Sequence, residues 1–234
     1  MRVLRTLLFC GMCCVCAQAG NVTYITPSGS SVAGGPVDAT AVFSISNGMI
    51  DVTLSNLLVN PTDVGQLLSD LSFTLGNGGS LSGASLSSSL GTEVTVNADG
   101  SFTPGSSVPS GWGFKTGGAT TATLDVLGTS TAPSHLIIGP PGTTGYSNAN
   151  GSIAGNKPHN PFLNGSATFV ITGSGITSST TITSATFSFG TTEGAATVGG
   201  VPRSVPEPSA QFLLGLGIVG LMGLATASRK LIAT

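Results

Sequence analysis

Between residues 20 and 205 the side chains that could do chemistry are two histidines, eight acids and one tryptophan. His135 sits in "APSHLIIG" and His159 in "NKPHNPFLNG", with no acidic residue close to either in sequence. A metal ligand or a catalytic base needs partners, and neither histidine has a visible one, so both are expected to be structural. The acids are Asp38, Asp51, Asp63, Asp70, Glu93, Asp99, Asp125 and Glu193. A glycosidase needs only two carboxylates flanking one cleft. Here Asp38 and Asp51 fall on the polar faces of an expected hairpin and Asp99 falls in a turn, which suits scattered surface acids better than a shared site. Asn97 and Asp99 resemble half a calcium loop, but no further acidic ligand stands nearby and a turn is the expected role.

Trp112, in "PSGWGFKTGG", is the candidate ligand contact. Its glycine neighbours place it on a loop, where an exposed indole would stack on a sugar ring. Folded back, the same indole would cover the core, and aromatic burial favours that outcome. The chain has no Gly-x-Ser-x-Gly elbow, no His-Glu-x-x-His and no phosphate-cradling glycine loop. The expectation is therefore a protein that is not an enzyme and carries no metal or cofactor.

The elements that must position these residues are strands. The chain has 35 glycines and only 7% charged residues, a balance that suits short strands joined by tight turns rather than long helices. Three bases, Lys115, Lys157 and Arg203, stand against the eight acids, so nucleic acid is excluded as a partner for want of clustered cations. In "PVDATAVFSISNGMIDVTLSNL" apolar residues alternate on both sides of Asn47-Gly48. Both turn residues tolerate positive φ, and the pattern predicts a β-hairpin. One short helix is expected over Asp63–Ser69, then a strand through Leu71, Phe73 and Leu75, then a flexible Gly/Ser stretch over 76–89. "TEVTVNADGSFTP" predicts strand, turn and strand, faintly similar to turns of bacterial immunoglobulin-like repeats. Further strands are expected in "TATLDVLG", "SHLIIG", "ATFVITGSG" and "TTITSATFSFGT". Strands at this spacing without helices between them predict an all-β domain, an antiparallel sandwich or jelly-roll-like fold over about 20–190, with a linker over 191–204.

Both ends differ from this body. Residues 1–19 start with Arg2 and Arg5, continue through an apolar run too short to span a bilayer and close on Ala17-Gln18-Ala19, the small-x-small pattern of a signal peptide cleaved by signal peptidase. All four cysteines (Cys10, Cys13, Cys14, Cys16) lie inside it, so the mature chain would have no disulfide and no thiol nucleophile. At the other end, residues 209–228 hold no charged side chain. As a helix they would be roughly 30 Å long, matching the lipid hydrocarbon. Arg229 and Lys230 follow as a membrane stop, which the positive-inside rule keeps in the cytoplasm, leaving the β-rich body outside. Just before this segment Pro206 and Pro208 hold Glu207 in an extended, accessible peptide.

Pro206-Glu207-Pro208, an apolar segment and Arg229-Lys230 in that order resemble the PEP-CTERM sorting signal of bacterial exported proteins, over residues 205–234. The resemblance implies recognition of the motif by exosortase, a membrane-embedded cysteine peptidase, and cleavage near it. It also implies an inner-membrane anchored intermediate on the way to the cell surface or extracellular matrix. What the β-domain does there is left open: a non-enzymatic surface protein is expected. The alternatives are a carbohydrate-binding or adhesive module that would partner extracellular polysaccharide, and a secreted hydrolase.

Overall fold

The structure, a computed structural model, describes residues 21–128 and 134–203. The expected signal peptide with Ala17 and Ala19, the motif Pro206, Glu207, Pro208, the apolar segment 209–228 and Arg229-Lys230 lie outside the described residues. Among the described residues no helix is long and apolar enough to cross a membrane.

The regular structure of the described chain is almost entirely strand. In order come β1 (Asn21–Ile25), β2 (Ser31–Val32), β3 (Gly35–Pro36), β4 (Ala39–Ser46), β5 (Met49–Asn56), β6 (Leu68–Gly76), β7 (Ser85–Val96) and β8 (Phe102–Pro109). They are followed by β9 (Gly113–Thr116), β10 (Thr121–Asp125), β11 (Ile137–Ile138), β12 (Phe162–Thr172), β13 (Thr181–Phe189), β14 (Ala196–Gly199) and β15 (Val201–Arg203).

The period-two pattern explains why β4 and β5 form. Ala39, Ala41, Phe43 and Ile45 are buried, their polar neighbours are not, and the register Phe43↔Val52 and Ile45↔Ile50 puts both apolar rows on one face. The turn differs from expectation in one detail. Only Gly48 takes positive φ, at 80°. Asn47 instead turns its side chain outward, where its Oδ1 accepts from the Ser178 amide at 2.8 Å. The Gly48 amide donates to Ile176 O at 2.9 Å, so the hairpin tip is pinned by the 173–178 loop.

Thirteen strands form one sheet in the order β14-β13-β6-β11-β12-β5-β4-β1-β15, with β10 and β9 branching from β6 and β7 and β8 from β12. All pairings are antiparallel except the short β11–β12 one. The sheet folds over on itself. Phe43 of β4 and Phe73 of β6 are far apart in strand order, yet their rings meet at 5.3 Å. The Tyr24 hydroxyl of β1 donates to Ile182 O of β13 at 3.0 Å. Two layers thus face one core of Phe43, Phe73, Phe169, Phe187 and their aliphatic neighbours, each such side chain contributing about 1.5–3 kcal/mol by burial. The layers share both margins. β11 bridges β6 and β12, while β14 pairs β13 and β15 pairs β1 across a kink at Gly200.

Three expectations are corrected. The helix over Asp63–Ser69 is a single 3-10 turn, Val64–Gln66. Asp63 caps it, the Gln66 side chain folds back on the Asp63 amide, and Leu68 leaves at once into β6, because the core needs Leu68 and Leu71 there. The Gly/Ser stretch is ordered from Ser85 onward as the start of β7, which is paired to β12. The 191–204 stretch, expected as a linker, carries β14 and β15 as far as Arg203.

Candidate functional site

The fold brings four charged groups together where the sequence shows none adjacent. Asp70 of β6 stands directly opposite Asp125 of β10, and on its other side opposite Ser188 of β13. Asp70 is 2% exposed and Asp125 is fully buried. Lys115, from β9, reaches Asp125 Oδ2 at 3.1 Å and also bonds Glu193 of the 190–195 loop. The Leu127 and Gly128 amides donate to Asp125 Oδ1 at 2.7 and 3.0 Å. Gly194 N approaches Asp70 Oδ2 at 3.4 Å.

Two carboxylates packed this way resist being ionised together. Counted as anions they leave Asp70 Oδ1 buried without a donor. One proton held between them supplies a hydrogen bond and removes one of the two charges. Burial, then the hydrogen bond and charge of Asp125, push Asp70 up to about 7, against the Gly194 amide and Ser188 hydroxyl. Burial also opposes ionisation of Asp125. Its bonds with Asp70, the Gly128 and Leu127 amides and Lys115 outweigh that and hold it below the usual carboxylate range.

The sequence reading passed over this pair because only the β6–β10 register reveals it. Acids diverging in pKa can serve as acid and base. Two clefts of the described residues lie elsewhere, one lined by residues such as Asn97, Lys157 and Asn160 and the other by residues such as Leu90, Ser107 and Asn164. Among the described residues no set of three His, Cys, Asp or Glu is placed to hold a metal ion.

The second cluster gathers the histidines. His135 is 1% exposed; its Nδ1–H donates to Pro161 O at 2.6 Å, and its Nε2 lies 3.4 Å from Glu93 Oε1, which arrives from β7. His159 Nδ1 donates to Ser134 O at 2.7 Å. That nitrogen cannot also take the Ser134 hydroxyl proton, 3.5 Å away, so Ser134 and His159 form no nucleophile–base pair. The Trp112 indole packs on Phe169 with ring centres 5.3 Å apart and donates to His135 O at 2.7 Å. Trp112 is 3% exposed, so it offers no face to a sugar ring, and the candidate ligand contact is a core residue. Asp99, fully exposed, accepts from the Ser101 hydroxyl and amide, which hold its carboxyl below the ordinary range and close the β7–β8 turn.

The last strand of the domain, β15, ends at Arg203. The model of one protein family, the PEP-CTERM protein-sorting motif, matches residues 204–230. The chain carries a PEP-CTERM sorting motif. The match begins one residue after β15 and includes Pro206, Glu207, Pro208, Arg229 and Lys230. No curated protein and no solved structure matches the chain.

Proposed function

We propose that this is an exported, non-enzymatic β-domain handed to exosortase by its C-terminal tail and destined for the cell surface or extracellular matrix. The observation that carries the reading is the sorting motif at residues 204–230, joined to the folded body without an intervening spacer. Signal peptidase would cleave after Ala19, two residues before β1 begins. Residues 209–228 would cross the lipid, with Arg229 and Lys230 held in the cytoplasm. In the fold Thr23 pairs with Arg203, so both ends of the β-body leave at one corner, a geometry suited to a domain tethered at a membrane. The non-enzymatic reading is supported by the burial of Asp70 and Asp125 and by the Nδ1 bond that occupies His159. The carbohydrate-binding alternative loses its anchor with Trp112 buried.

Replacing Pro206, Glu207 and Pro208 by alanine in the native host tests the reading. The variant should accumulate as a longer, membrane-bound precursor while the wild type is shortened. Processing at the wild-type rate would exclude recognition through this motif.

A further inference from the structure

The residues just ahead of the sorting motif are held unusually. The segment 190–203 runs from the loop bearing Glu193 and Gly194 into β14, kinks at Gly200 and ends as β15. It is the strap that closes one margin of the folded sheet, β14 on β13 and β15 on β1. The kink is tight: a Cβ on Gly200 would lie 3.0 Å from the Phe187 ring and 3.1 Å from Ala185 O. Beyond the kink every residue of β15 is exposed, and only three register pairs hold it. At the strap's other end, the 190–195 loop rests over Asp70 and Asp125 through Gly194 and through Glu193 on Lys115.

We propose that segment 190–203 is a proton-controlled strap, shut while Asp70 and Asp125 share a proton and released when that proton is lost, which lengthens the tether to the sorting motif. The geometry gives the direction. Loss of the proton leaves two buried anions side by side with one cation, Lys115, which Glu193 also engages. Asp70 itself faces Asp125 from β10, the Gly194 amide of the loop and the Ser188 hydroxyl of β13, while Lys115 from β9 meets the pair at Asp125 and is shared with Glu193. A second buried charge is costly, and the cheapest relief is to lift the 190–195 loop so that water reaches Asp70. Burial and the neighbouring carboxylate place this transition at about pH 7.

The consequence for processing rests on the sorting reading above. With the strap shut, Pro206 follows the sheet by three residues, roughly 10 Å of chain. Released from residue 190, the same motif stands on a free tether of about 53 Å when extended. A peptidase that binds its substrate extended would reach the motif only in the second state.

Hydrogen exchange of the full chain in detergent tests the strap without any processing enzyme. With intrinsic rates corrected for pH, amide protection over 190–203 should fall about tenfold or more between about pH 5.5 and about pH 8. Protection in the β4–β5 hairpin, which reports global unfolding, should fall by a clearly smaller factor. Asp70→Asn, which keeps the shape without the titration, should flatten the change. Constant protection in the wild type, or an equal fall in Asp70→Asn, would overturn the proposal. If the strap opens as described but processing ignores Pro206, Glu207 and Pro208, the sorting reading fails and the strap stands.

Discussion

Asp70 keeps a proton at a pH where most aspartates have lost theirs because it is buried against a second carboxyl group. Folding raises its pKa, so the stabilisation tied to that proton is complete below the ordinary carboxylate range and is lost as pH rises through about 7. Asp125 runs the other way: its depressed pKa contributes stability that disappears only in stronger acid. The domain should therefore be most stable in mild acid. Thermal unfolding should show Tm lower at about pH 8 than at about pH 5.5 by at least about 2–4 °C, the equivalent of ~1 kcal/mol for a domain of this size. Asp70→Asn should remove that difference, and a wild-type Tm that rises across the interval would refute the shared proton. At this scale the sequence was partly legible. The sequence reads the histidines as structural because nothing near them in "APSHLIIG" or "NKPHNPFLNG" could serve as a partner. Glu93 reaches His135, and Asp70 reaches Asp125, only through strand register, which no local pattern encodes.

Among the elements, legibility followed side-chain contrast. β4, β5 and β6 alternate large apolar with polar residues and could be read directly, down to Phe43, Val52 and Phe73. The first half of β7, "SLSSSL", has little contrast and a half-exposed face, so it looked like a loop although β12 pairs with it along its length. β14 and β15 are too short and too poor in bulky residues to signal a strand, and tertiary pairing alone fixes them. The expected helix gave way because Asp63 and Gln66 satisfy each other's backbone within one turn, and the next residues are needed in the core. That the sheet folds into two facing layers rests on the Phe43–Phe73 contact. A double-mutant cycle with Phe43→Leu and Phe73→Leu should give a coupling of about 0.5–1.5 kcal/mol, typical of an edge-on aromatic pair. Additive losses would mean that the two strands do not meet across one core.

For the whole molecule the decisive feature is the junction at Arg203, where a closed β-body passes without a spacer into the sorting motif. The most direct measurement is mass spectrometry of both termini of the protein recovered from the outside of the native cells. The mature chain should begin at Gly20 and end close to Pro206, Glu207 and Pro208, without residues 212–234. Recovery of a surface-exposed chain that still carries its sequence through Arg229 and Lys230 to Thr234 would contradict the account.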